Sequence, residues 1–221
     1  LAISNSDVDA LVHQVKNNGT QPASAAPRRR DRRVLRRSGS VGVGFQAVGE
    51  RLLHQGNTIA LAIGTFRAPG GEIFEREVVH HPGAVSVVPV LPDGRVVLVR
   101  QYRAALDREL LEIPAGKRDV PGEPPEVTAN RERAEEVGLR AGRLELLAEF
   151  HNSPGFCDEH SMVFLGQDLE EADRALHGIE EQHLTVERHP LAEVPGLIAS
   201  GELTDAKTII GLLLTLRRVG G

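Results

Sequence analysis

Residues 112–139 read E-I-P-A-G-K-R-D-V-P-G-E-P-P-E-V-T-A-N-R-E-R-A-E-E-V-G-L, a glycine turn running into a helix that gathers acid on one surface. Glu132, Glu135 and Glu136 fall at i, i+3 and i+4, so their side chains leave neighbouring points of one helical face. Left to themselves, they repel. A hard divalent cation, Mg²⁺ or Mn²⁺, removes the conflict, because such ions take oxygen ligands and also engage substrate phosphates. The competing reading is a solvated acidic helix end, with Arg131 and Arg133 as local counter-charge. A cation held by such a cluster implies phosphate chemistry.

The run resembles the Nudix hydrolase signature. That signature is Gly, five residues, Glu, seven residues, then Arg-Glu-aliphatic-x-Glu-Glu-x-Gly-aliphatic. The matching residues are Gly116, Glu123, Arg131, Glu132, Glu135, Glu136, Gly138 and Leu139. There are two departures. Six residues separate Gly116 from Glu123, and the additional one lies in the turn-forming D-V-P-G stretch, where an insertion costs little. Arg133 stands where an aliphatic residue is expected, and Asn130 also falls on the inward side, which leaves Val127, Ala134 and Val137 as a thin apolar stripe. Arg133 is expected to carry its charged head out to solvent along an apolar stem.

Further segments resemble the ADP-ribose pyrophosphatases within that superfamily: R-E-V-V-H-H-P-G-A-V (76–85), V-L-V-R-Q-Y-R (97–103), S-P-G-F-C-D-E (153–159) and S-G-E-L-T-D-A-K-T (200–208). The resemblance covers about residues 47–218. It implies an α+β fold, a Nudix-type α/β/α sandwich with a mixed β-sheet, preceded by an N-terminal β-hairpin region. It also implies a homodimer made by exchange of amino-terminal strands. By motif position, the Ala115 carbonyl, Glu132 and Glu136 bind metal, with Glu135 in the same cluster. Glu123 orients the helix carboxylates, and Arg131 fixes the box through a carboxylate. Arg76 and Arg103 match positions that contact the phosphate or terminal ribose of substrate, a task suited to a guanidinium fork.

Hydrolysis of a diphosphate at neutral pH needs a neutralised electrophile, an activated water and a stabilised leaving phosphate, and divalent ions serve all three needs. A base outside the helix then takes the water's proton. The loop at 151–160 offers Glu159, Asp158, His151 and His160; spacing does not choose among them, and the resemblance selects Glu159. The implied reaction is Mg²⁺-dependent hydrolysis of ADP-ribose to AMP and ribose 5-phosphate. The alternatives are another nucleoside diphosphate-sugar as substrate, or an idle ADP-ribose-binding module.

Charge is unevenly placed. Residues 28–37 hold seven arginines and one aspartate, a net +6 segment in a chain of net −5, so the remainder carries −11. Residues 1–45 read as a disordered basic extension and 46–221 as the enzyme domain. A nucleic-acid tether is the functional alternative for the extension. No apolar run approaches about 18 residues, and Cys157 is the single cysteine. These features suggest a cytoplasmic enzyme with no membrane partner.

Alternation predicts strands at 57–66, 72–80, 143–150, 161–166 and 184–189. Apolar runs predict central strands at 84–91 and 95–101, joined by a tight Pro92-Asp93-Gly94 turn, and a short strand at 109–114. Helices are expected near 125–137, 190–200 and 205–218, the last opening on Asp205 as N-cap, with 168–180 helical or irregular.

Overall fold

The computed structural model describes residues 44–175 and 178–219. The arginine-rich segment at 28–37, and with it the expectation of a disordered extension, lies outside the described residues. Strands β1 (Gln46–Gln55), β2 (Ala60–Arg67) and β3 (Ile73–His80) form one antiparallel sheet in that order. A second sheet orders β10 (Thr185–Pro190), β5 (Arg95–Arg103) and β6 (Arg108–Glu112). The third orders β7 (Ala115–Lys117), β4 (Ala84–Pro89), β9 (His160–Glu171) and β8 (Leu139–His151), with β4 and β9 parallel and the other pairs antiparallel. The helices are α1 (Pro125–Val137), α2 (Ile179–Gln182), α3 (Val194–Ala199) and α4 (Ala206–Val219).

Two-residue periodicity explains the layering. In β4, Val85 and Val87 join Met162 and Phe164 of β9 and Ala129 of α1 in one core cluster. Val88 and Val163, one step out of phase, join Leu212 of α4 together with Val96, Leu98, Leu111 and Ile113. Opposite faces of one mixed sheet are therefore covered by α1 and α4, which is the expected α/β/α arrangement. Fully burying side chains of this size contributes about 1.5–3 kcal/mol each, so this paired core fixes where α1 lies.

Helix α1 begins with Pro125 in its first turn, where a missing N–H costs nothing, and ends at Gly138. There φ is 68° and the glycine N–H closes on the Ala134 carbonyl, a left-handed stop that side chains with a Cβ adopt reluctantly. Helix α4 opens on Asp205, whose Oδ2 accepts from the Thr208 N–H at 2.9 Å and from the Thr208 hydroxyl at 2.6 Å.

Several elements differ from expectation. Residues 46–55 form a ten-residue strand that the sequence pattern did not show, because every position on it is exposed and no alternation results. The turn at 92–94 forms, yet β4 and β5 enter different sheets, and an isolated Val90–Val96 bridge just past β4 is their ladder contact. The acidic stretch after 166 continues β9 as far as Glu171.

Two positions on α1 also depart. Val127 is exposed, so the buried stripe runs through Ala129, Arg133, Ala134 and Val137 instead. Arg133 does not reach solvent: it is only 1% exposed and is the largest fully buried side chain described. Its Nε donates to the Leu139 carbonyl at 2.9 Å and Nη2 to Asn130 Oδ1 at 2.6 Å, while Asn130 Oδ1 also accepts from Ala141 N–H at 3.2 Å. Asn130 and Arg133 thus act as one polar pair that stitches the helix to β8. Desolvation lowers the guanidinium pKa to about 10, which still leaves it charged at neutral pH.

Arg133→Ala should destabilise the fold by about 2–5 kcal/mol, because it empties a packed volume and removes one of the two donors to Asn130 Oδ1. Arg133→Leu combined with Asn130→Ala should recover most of that loss. Denaturant midpoints of the two variants measure the difference. Equal destabilisation would show that the pair is not a unit.

Candidate active site

The site is assembled where α1 crosses β7. Strand β7 pairs with β4 through Ser86–Ala115 and Ala84–Lys117, so its backbone is fixed from one side. From the other side Glu136 Oε2 accepts from the Ala115 N–H at 3.1 Å. Glu132 covers Gly116 so closely that a Cβ there would overlap its Cγ and Cδ. Glycine at 116 is therefore required by close approach, and with it comes the register of helix on strand.

The electrostatics of these carboxylates are unbalanced. Glu136 is 5% exposed, and burial pushes its pKa up to about 8, with the Ala115 N–H and the field of Arg103 opposing and Glu181 and Glu132 adding to the rise. Glu132 is also raised, first by burial, against the pull of Arg131. Arg131 lies among the acids: Nη1 is 2.8 Å from Glu132 and 3.5 Å from Glu135, and Nη2 is 3.3 Å from Glu123 and 3.7 Å from Asp119. The Thr128 hydroxyl donates to Glu123 at 2.7 Å, and that bond with Arg131 holds Glu123 below the usual carboxylate range.

Among the described residues no three acidic, histidine or cysteine side chains are arranged to hold an ion by themselves. The donor set nonetheless fits a hard divalent cation. Glu132 and Glu136 are oxygen donors that burial leaves raised in pKa, Glu132 in spite of Arg131, and they sit against the backbone of Ala115 and Gly116.

Arg103 and Arg76 stand in different surroundings. Arg103 grips Glu112 with both arms of its fork, Nε–Oε1 and Nη2–Oε2 each 2.6 Å. The Glu112 side chain is 1% exposed and also pairs with Lys207, which lies 2.9 Å from Asp205. Sequence reasoning missed this network. Its signal was a glutamate within the apolar run L-L-E-I-P and a lysine in D-A-K-T. Arg76 stacks 4.8 Å above the Phe74 ring and borders a cleft of about 450 Å³ lined also by Phe45, Phe66, His151 and Phe156. Four of the six phenylalanines meet there, although none is adjacent to another in sequence.

The loop after β8 forms one wall of that cleft and leads to Glu159. Of the four acid–base candidates on it, Asp158 is engaged with His80 and with the His81 N–H. His160 approaches Glu149 at 3.3 Å, and His151 Nδ1 lies 3.3 Å from the Glu159 carbonyl. The Glu159 carboxylate makes a long 3.9 Å approach to His81 Nδ1. Cys157 is half-buried on the same loop.

A turn, a carboxylate-bearing helix with Glu132 and Glu136 on one face, and a mixed sheet between two helices together define a recognisable class. The NUDIX domain family matches residues 80–210, more than half of the chain, and the chain belongs to it. It is a Nudix hydrolase, and that class works with divalent metal ions. The chain is similar to the ADP-ribose pyrophosphatase of Mycobacterium tuberculosis (strain ATCC 25618 / H37Rv), 41% identical over 169 residues, 76% of this chain and 82% of the relative. It is 37% identical over 163 residues to the ADP-ribose pyrophosphatase of Bacillus subtilis (strain 168), 74% of this chain and 88% of that one. Its fold matches a crystal structure of an ADP compounds hydrolase with a TM-score of 0.70 at 24% identity, over 83% of this chain and 98% of the other. Among the described residues no helix is long and apolar enough to cross a membrane.

The raised Glu136 carboxyl has a consequence for stability. The folded state binds that proton more tightly than the unfolded chain, so chelated protein should lose stability as pH climbs from about 4.5 towards about 8. A divalent ion reverses the sign by favouring the ionised form. Thermal melts in EDTA and in Mg²⁺ should therefore diverge most on the alkaline side. Parallel curves across that range would show that Glu136 does not meet the ion.

Proposed function

We propose that the protein hydrolyses the pyrophosphate of ADP-ribose to AMP and ribose 5-phosphate with Mg²⁺. The observation that carries the proposal is the pair Glu132 and Glu136, desolvated against Ala115 and Gly116, in a chain 41% identical to an ADP-ribose pyrophosphatase. In this reading Glu132, Glu136 and the Ala115 carbonyl hold metal, with Glu135 beside them and Mn²⁺ an acceptable substitute. When bound, the ion neutralises the diphosphate and lowers the pKa of a coordinated water.

The protein's own groups do the remainder. Arg131 and Glu123 keep the helix carboxylates directed at β7. Arg103, steadied by Glu112, offers its exposed edge to phosphate or ribose, and Arg76 with the phenylalanine cleft receives the nucleoside. Glu159 takes a proton from the attacking water. The single half-buried Cys157 agrees with a reducing, cytoplasmic setting.

Release of AMP from ADP-ribose should require Mg²⁺ and stop in EDTA. Turnover that persists in chelator would remove the metal from the mechanism. Preference for another nucleoside diphosphate-sugar would move the substrate and leave the chemistry. Glu136→Gln should weaken Mg²⁺ activation and rate together, whereas Glu159→Gln should lower kcat by about 10²- to 10⁴-fold with metal affinity kept. A Glu159→Gln enzyme within about threefold of the parent would take the base role from this residue.

We also propose that the enzyme is a homodimer joined through the β1–β3 sheet. All ten residues of β1 are exposed, including Val48, Leu52 and Leu53, with Phe45 and Ile73 beside them. Light scattering should return about twice the chain mass. An active monomer would refute the dimer.

A further inference from the structure

Both ring nitrogens of His80, the last residue of β3, face carboxylate oxygens. Nδ1 is 2.6 Å from Asp158 Oδ2 and Nε2 is 2.8 Å from Glu50 Oε2. An ionised carboxylate only accepts, so both contacts are hydrogen bonds only when both nitrogens carry protons. A neutral ring would turn a lone pair towards one of the two acids. Glu50 from β1 and Asp158 from the loop are the charged groups that meet the ring. They hold its pKa above the ordinary value, the Asp158 bond contributing most and partial burial opposing.

What this imidazolium fastens is the loop that carries Glu159. Three ties besides His80 join the loop to the end of β3: Val79 N–H to the Phe156 carbonyl at 2.7 Å, Asp158 N–H to the Val79 carbonyl at 3.1 Å, and His81 N–H to Asp158 Oδ1 at 2.8 Å. These involve backbone donors that do not titrate near neutral pH. His80 alone adds a link that reaches across to β1. Phe156, which lines the cleft with Arg76, and Glu159, one residue past Asp158, lie on the segment it fastens.

We propose that His80 is a positioning residue: as an imidazolium it ties Glu50 of β1 to Asp158 of the loop, and so holds Glu159 and the Phe156 wall of the cleft in place. The role rests on the assignment of Glu159 as base. Because the folded pKa is raised, the clamp is complete below about pH 6.5 and is lost as pH rises through the folded value. The rate should therefore decline on that alkaline limb even where the base is ionised.

Glu50→Gln separates the clamp from ordinary structural support. A glutamine amide can donate to the lone pair of a neutral Nε2 while Nδ1–H still serves Asp158, so the clamp no longer needs the second proton. Histidine NMR titration, with the His80 signal identified by its absence in His80→Gln, should show a midpoint above the ordinary value in the parent and a lower one in Glu50→Gln. In the same variant the alkaline decline of kcat should flatten, although the histidine has become less basic. His80→Gln should lower kcat by about tenfold near neutral pH, with Mg²⁺ activation and melting temperature kept.

A parent midpoint at or below the ordinary value overturns the proposal whatever the activity. So does an alkaline limb identical in the parent and Glu50→Gln, or a His80→Gln enzyme within about twofold of the parent. A parent chain inactive on every nucleoside diphosphate derivative would overturn the base assignment instead, and the titration would still decide whether the clamp exists.

Discussion

A carboxylate removed from water without a charged partner costs several kcal/mol, and Glu136, met by one backbone N–H, is held in that condition by the way α1 lies on β7. The cost is imposed by packing. Ala129 is locked against Val85, Val87, Met162 and Phe164, and Glu132 covers a glycine that admits no side chain. Neither helix nor strand can slide to relieve the acid. The fold thus leaves a buried acid without a cation beside it, at the point proposed for the metal.

A second buried glutamate shows how the same fold treats a charge that it intends to neutralise. Glu112 meets the guanidinium of Arg103 and the ammonium of Lys207, and Asp205 completes the set while capping α4. Glu136 meets one backbone N–H. Glu112 stands three positions before Ala115, whose N–H Glu136 accepts, so one short segment carries the first acid and meets the second. Arg103 belongs to both, since its field also reaches Glu136. A change of charge at Arg103 would therefore be felt by Glu136 without any movement of backbone.

The cleft proposed for the nucleoside is built on a different principle. There the β1–β3 sheet supplies aromatic and cationic surface, and the loop before Glu159 closes the cleft against it. One loop thus both lines the cleft and carries Glu159, the residue proposed as base. Hydrogen bonds to Val79, His80 and His81 anchor the loop to the end of β3.

The carboxylate helix, its glycine stop, the turn at 92–94 and the strand periodicities were legible in the sequence, because each depends on spacing within about a dozen residues. The family pattern also brought Glu132, Glu136, Ala115 and Glu159 forward as candidates. Other features are decided by partners far along the chain. Arg133 looked like a residue bound for solvent, and it is buried because Asn130, Leu139 and Ala141 meet its fork. β1 carries no alternation, since it hydrogen-bonds to β2 while burying neither face. The grouping of Phe45, Phe66, Phe74 and Phe156, and the two acids around His80, join positions up to 111 residues apart. The sequence by itself determined which chemistry the chain carries, because that chemistry is local to one helix; tertiary structure decided which charges are compensated, because desolvation depends on neighbours that only folding brings together.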